Sequence, residues 1–343
     1  MKSTLISLLL ALSLSCSYTL NVVSQTPSDQ DDVIRVDTDL TNLLFTAVDK
    51  QNHFITTLKE EDLRLTEDGV PQNIVTFQRE TDRPLSLAFL VDVSASEERT
   101  LPQEKAAARS FIETVLQSSK DQAAIIAFTG SAFLEQGLTR DVFGLYRALE
   151  RVEVALPSYL GSGRPISGIA SGPGMKATPP EGTTAIWDAI ALTASEVLAP
   201  SVGRRRRAII LLTDGFDSTS RLMRTEAINR ALDAETVIYA IGIGDSKYDG
   251  VNRDGLKAVA TSTGGRAFFP KHESDLKAAF AEIEQELRSQ YLIAYSSTNK
   301  KRDGAYRQMR LDVTSPEFKK DQLKLRYRPG YFAKPLIPQN RGL

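Results

Sequence analysis

Four continuous apolar runs constrain what the centre of this chain can become: Leu85 to Val91, Ala123 to Phe128, Ala208 to Leu212 and Val237 to Ile243. A strand with one wet face alternates apolar and polar residues, so an unbroken run reads as a strand covered on both faces. The covering elements lie between the runs. Ala108, Phe111, Ile112, Val115 and Leu116 share one helical face, as do Ile186, Ala189, Ile190, Thr193 and Val197. Leu276, Phe280, Ile283 and Leu287 mark a third helix. Buried strands alternating with amphipathic helices over residues 84–288 predict an α/β fold, a doubly wound and mainly parallel sheet. Such sheets bind ligands beyond the carboxyl ends of their strands, near the point where strand order reverses.

The flanks have a different period. Val33 to Val36, Leu43 to Val48 and Asn73 to Phe77 are short runs, with turn residues at Asp49 to Asn52 and Glu67 to Gly69. Strand patterns return at Gln290 to Tyr295, Arg307 to Val313 and Leu323 to Tyr327, separated by turns at Lys300 to Gly304 and Thr314 to Glu317. Neither flank has enough strands to stand alone. Residues 33–80 and 289–333 are therefore expected to pair into one small antiparallel, β-sandwich-like domain, with the α/β segment inserted between them.

Residues 1–24 read as an export signal: Lys2, then the apolar run Leu5 to Leu14, too short to span a bilayer, then small residues. Cleavage after Ser24 would discard Cys16, whereas cleavage after Ser15 would leave it as a lipidated N-terminus. The approach Ser13-Leu14-Ser15 is a poor lipoprotein signal, which favours a periplasmic, secreted or surface protein without a lipid anchor. No later run reaches about 18 apolar residues, so no transmembrane segment is expected.

Inventory narrows the chemistry. Two histidines, His53 and His272, and the single Cys16 leave little from which to build a Cys/His zinc site. With 42 Lys and Arg against 43 Asp and Glu the formal charge is −1, which removes the electrostatic case for nucleic-acid binding. Oxygen ligands are another matter. The strand Leu85 to Val91 runs directly into Asp92-Val93-Ser94-Ala95-Ser96, placing a carboxylate and two hydroxyls on one loop. Hard divalent cations prefer such oxygens. Read alone, the loop could equally be a helix cap, with Ser94 or Ser96 bonding backbone amides. Two further segments point to the same region. Glu181 to Ile190 sets Thr184 at the start of an amphipathic helix, and the strand Ala208 to Leu212 ends in Thr213-Asp214-Gly215.

Taken in order, these three segments resemble the von Willebrand factor type A (VWA) domain and its metal-ion-dependent adhesion site. The family pattern, Asp-x-Ser-x-Ser with a distant Thr and Asp, falls on Asp92, Ser94, Ser96, Thr184 and Asp214. Thr183 is the neighbouring alternative to Thr184, and Ala95 stands where many relatives have Gly. The flanks, notably Leu63 to Gln72 and Arg328 to Phe332, resemble the exported bacterial VWFA-related proteins. The resemblance implies a divalent cation, most naturally Mg2+ with Mn2+ or Ca2+ as alternatives. Hydroxyls of Ser94, Ser96 and Thr184 would ligate it, with Asp92 and Asp214 acting directly or through water. So few charged ligands leave the cation short of negative charge, so a partner protein's Asp or Glu carboxylate can complete its shell. The expected function is an exported, non-enzymatic adhesion or scaffold module. An envelope assembly factor would use the same site. A metal-dependent hydrolase is the remaining alternative, but it lacks a general base and a second carboxylate at the place of Ser94.

Other features carry less. The Gly/Pro/Ser-rich stretch 156–182 is either a partner-selecting loop or a tolerated insertion. Arg204 to Arg207 reads as a solvated cationic loop, Asp245 to Gly255 as a polar loop whose spacing is not that of a calcium loop, and both histidines as surface residues. Trp187 reads as core.

Overall fold

The computed structural model describes residues 40–80, 83–117, 119–154, 164–165 (backbone only), 183–201, 205–244, 250–318 and 323–334. The signal segment with Cys16, the Val33 to Val36 run, nearly all of the 156–182 stretch, Arg204 and residues 245–249 lie outside the described residues.

The N-terminal strands are β1 (Leu40–Val48), β2 (Leu63–Glu67), β3 (Val70–Pro71) and β4 (Ile74–Arg79). The central segment then supplies β5 (Leu85–Asp92), α1 (Leu101–Val115), β6 (Gln122–Phe128), β7 (Ala132–Thr139), α2 (Val142–Arg151) and β8 (Arg164–Pro165). It continues with α3 (Ile186–Leu192), β9 (Arg206–Thr213), α4 (Arg224–Asp233), β10 (Thr236–Gly242), α5 (Arg253–Ser262), β11 (Ala267–Phe268) and α6 (Glu273–Arg288). Four strands close the chain: β12 (Tyr291–Ser296), β13 (Tyr306–Val313), β14 (Lys324–Tyr327) and β15 (Gly330–Phe332).

The central sheet has the order β11-β10-β9-β5-β6-β7-β8. Neighbours from β11 to β6 run parallel, while β7 is antiparallel to β6 and β8 to β7. The unbroken apolar run in β5 has a direct cause. Leu87, Phe89 and Val91 face a core shared with α1, α2 and α6, and Ala88 and Leu90 face a second core with α3, α4 and α5. All eight residues of β5 are buried. β7 escapes the apolar pattern because most of it is only half-buried and it carries Glu135, Gln136 and Gly137. The helical face from Ile186 to Val197 is present, but its second half, Thr193–Leu198, is wound as a π-helix.

The flanks pair as expected. β14-β1-β12-β4 form one antiparallel sheet and β15-β13-β2-β3 a second, each mixing N- and C-terminal strands. Their facing sides enclose one core, with Leu43, Phe45, Tyr291 and Ile293 from the first sheet against Leu63, Leu65, Met309 and Leu311 from the second. The rings of Phe45 and Tyr291 stack at 5.0 Å. The α/β segment is thus an insertion between β4 and β12 of a β-sandwich.

The arginine run departs from its sequence reading. Arg206 is buried, donating to the carbonyls of Leu287 and, at 3.1 Å, Arg83. Burial lowers its pKa to about 10. Arg205 donates to the carbonyls of Leu85 (2.9 Å) and Lys120 (2.5 Å), and Arg207 to that of Leu198 at 2.9 Å. These guanidinium groups satisfy chain ends at the amino edge of the sheet, so Arg205 to Arg207 form no solvated loop. A planar fork of five donors suits that task better than a point charge.

Candidate metal centre

β5 lies between β9 and β6, and the chain leaves it toward β6 while β9 returns on its other side, so the carboxyl ends of β5 and β9 flank the switch point. The register pairs Val91 with Leu212, which brings the next residues, Asp92 and Thr213, side by side. Thr213 Oγ1 donates to Asp92 Oδ2 at 2.6 Å. The backbone N–H of Ser94 donates to Asp92 Oδ1 at 2.9 Å, curling the loop over the carboxylate. That turn brings Ser94 Oγ within 3.0 Å of Ser96 Oγ. Two hydroxyl oxygens and a carboxylate thus come from five consecutive residues.

The second loop is tied to the end of β6 and to the third loop. Ala185 N–H donates to the Thr129 carbonyl (2.8 Å), and Thr129 Oγ1 to the Thr183 carbonyl (2.6 Å). Ser218 clamps the next residue: its Oγ accepts from Thr184 N–H at 2.8 Å, and its N–H donates to the Thr184 carbonyl at 2.9 Å. Asp217 accepts from Ile186 N–H at 2.8 Å, fixing the start of α3 against the same loop. Of the two threonines, Thr183 therefore spends its carbonyl on Thr129 and Thr184 its backbone on Ser218. Asp214, at the far side, accepts from Phe216 N–H at 3.0 Å. Gly215 next to it has φ +85°, and a Cβ there would lie 2.8 Å from Leu256 Cγ. Only glycine takes that bend without displacing α5.

The structure gathers Asp92 and Asp214 in a cluster that also contains Glu97, with one carboxylate oxygen from each all within 4.8 Å of one another and all three residues buried. Asp92 is fully buried, and desolvation raises its pKa to about 6 despite the hydrogen bonds from Thr213 and Ser94 that pull the other way. Glu97 and Glu104 are raised as well, by burial and by the negative charges around them. Sequence reasoning passed over both glutamates. Glu97 directly follows Ser96, and Glu104 interrupts the buried stripe of α1 between Leu101 and Ala108. A charged residue inside an apolar helical stripe was the available signal.

The donor set tests well against a metal. It consists of carboxylates and hydroxyls without nitrogen or sulfur, as hard divalent cations require. Buried carboxyls that lack a counter-charge are also the environment in which a cation offsets the greatest desolvation cost.

The family model of the von Willebrand factor type A domain matches residues 86–282, more than half of the chain. The chain belongs to the VWA family. Among solved structures it is similar to BatB from Bacteroides thetaiotaomicron, at 20% identity and a TM-score of 0.45, covering 60% of this chain and 100% of that one. It is similar to a von Willebrand factor type A protein from Catenulispora acidiphila at 12% identity and a TM-score of 0.46, over 80% of this chain and 74% of that one. A third is proximal thread matrix protein 1 from the mussel byssus, described with a zinc-occupied MIDAS motif, at 18% identity and a TM-score of 0.48, over 64% and 49% of the two chains. Comparison with curated proteins gives no match. In this VWA protein the loops after β5 and β9 lie at the switch point, and the Thr184 segment is tied to the second of them through Ser218 and Asp217.

Proposed function

We propose that this VWA protein is an exported, non-catalytic binding module whose strand-end loops hold a divalent cation, and that the cation takes an Asp or Glu carboxylate of a partner protein. Ser94, Ser96 and Thr184 supply hydroxyl oxygens, and Asp92 and Asp214 act directly or through water. Mg2+ is the expected ion, because it tolerates a few protein ligands with retained waters; Mn2+ and Ca2+ are the alternatives. The observation that supports the reading is the meeting of buried Asp92 and Asp214 carboxylates beside the Ser94 and Ser96 hydroxyls. No helix among the described residues is long and apolar enough to cross a membrane. Neither histidine belongs to the gathered groups: His53 is exposed and paired with Asp49, and His272 is exposed at the start of α6. The test is capture of partners from envelope extract on immobilised protein with Mg2+, with EDTA, and with Asp92→Ala. Capture that needs the metal and is lost in the variant supports the reading; capture undiminished in EDTA contradicts it.

A further inference from the structure

The reading above uses Asp92 and Asp214 but leaves the third carboxylate of the cluster without a role. Glu97 is fully buried at the end of the short helical turn Ala95–Glu97. Its Oε2 accepts from Thr100 Oγ1 at 2.5 Å, while its Oε1 meets no donor. Behind it lies Glu104, also fully buried, whose carboxyl has only the Thr100 hydroxyl and the Glu97 carboxyl itself as hydrogen-bonding neighbours. The charges acting most strongly on Glu97 are those of Glu104, Asp92 and Asp214, all of its own sign. Burial of carboxyls in this state is costly, and an unpaired buried charge is among the most destabilising features a fold can carry. A proton shared between the two carboxyls offsets that cost in the free protein, and a bound cation would take its place.

We propose that Glu97 is itself a ligand of the strand-end cation, and that Glu104 is a positioning residue that holds the Glu97 carboxyl toward it. This rests on the reading of the loops as a cation site. Asp92, Glu97 and Asp214 then give the ion three carboxylates from one chain, with the Ser94 and Ser96 hydroxyls beside them. Three carboxylates exceed a divalent charge, so the cation is held before any partner arrives. A partner's carboxylate is then taken up at an open coordination position and not by unbalanced positive charge.

The test is calorimetric titration of Mn2+ and Mg2+ into the EDTA-stripped full chain, with thermal melts in EDTA and in metal, for wild type, E97Q, E104Q and D92A. E97Q is expected to bind Mn2+ more than about 100-fold more weakly, and E104Q about 10–100-fold more weakly, as loss of an outer support does. In EDTA both amide variants are expected to melt at or above the wild-type temperature, because a neutral amide replaces a buried carboxyl crowded by groups of its own sign. Their metal-induced rise in melting temperature shrinks. A purely structural glutamate would lower the melting temperature in EDTA and leave metal affinity unchanged. If E97Q does not fold, E97D keeps the charge and withdraws it by one methylene: weaker Mn2+ binding is expected, and unchanged binding overturns the proposal. Wild-type affinity in E97Q alongside lost binding in D92A overturns the role of Glu97 and leaves the cation site standing. Failure of wild type to bind either metal overturns the cation site itself.

Discussion

Glu67 in the β-sandwich and Glu97 at the strand ends are both buried glutamates, 2% and 0% exposed, and their surroundings differ in kind. Glu67 accepts hydrogen bonds from Tyr295 Oη at 2.6 Å, Tyr331 Oη at 2.9 Å and the Ser297 hydroxyl. Its carboxyl is shared among donors that the sandwich itself supplies, and burial, followed by the contact with Glu67, pushes the pKa values of Tyr295 and Tyr331 up. Glu286 at the end of α6 is treated similarly, with Arg266 at 3.5 Å and Arg326 at 3.4 Å as counter-charges. Glu97 and Glu104 have one hydroxyl between them, from Thr100. The proposed cation site would account for a fold that satisfies its buried carboxyls in two places and gives the pair in a third a single hydroxyl. The pair sits at the switch point of the inserted domain, where the sheet topology would place a ligand.

This contrast can be broken in a graded series. The largest effect is expected at Phe45→Ala, which opens a cavity in the sandwich core and costs about 3–5 kcal/mol. Urea unfolding in EDTA and in Mn2+ measures it, and the loss is expected to be the same in both. Glu67→Ala strands three hydroxyl donors and is expected to cost about 3 kcal/mol, again independently of metal. A loss seen only in metal would mean that the two regions are not separate. Arg206→Leu removes donors from the carbonyls of Leu287 and Arg83 at the junction of the two domains, with an expected cost of about 1–3 kcal/mol. Gly215→Ala forces a side chain into the left-handed region beside Leu256, costing about 1–2 kcal/mol. Unlike the others, it is expected to weaken Mn2+ binding as well, because Asp214 moves with it; titration of the variant checks this.

Much of the architecture was legible in the sequence because its causes are local. β5, β6, β9 and β10 are buried on both faces, so their apolar runs are continuous, and β13 alternates because only one of its faces meets the sandwich core. β7 was not legible, since a half-exposed strand carrying Glu135, Gln136 and Gly137 has no period to read. Arg205 to Arg207 misled for a related reason: a run of charges states nothing about the carbonyls that its guanidinium groups will meet. At the site, Asp92, Ser94, Ser96, Thr184 and Asp214 could be picked out by motif and by their places at strand ends. Glu97 could not, because its importance depends on what α1 fails to offer it. The same holds for Glu104, whose position in an apolar stripe becomes meaningful only once its carboxyl is found buried against that of Glu97.

The central claim is that the buried carboxylates at the ends of β5 and β9 form a cation site. Its most direct measurement is calorimetric titration of Mn2+ into the EDTA-stripped protein, with Asp92→Ala as the paired variant. One saturable site in wild type is predicted, weakened in the variant beyond the roughly 10–100-fold that loss of an outer-shell partner costs. No saturable binding by wild type, or equal binding by Asp92→Ala, would contradict it.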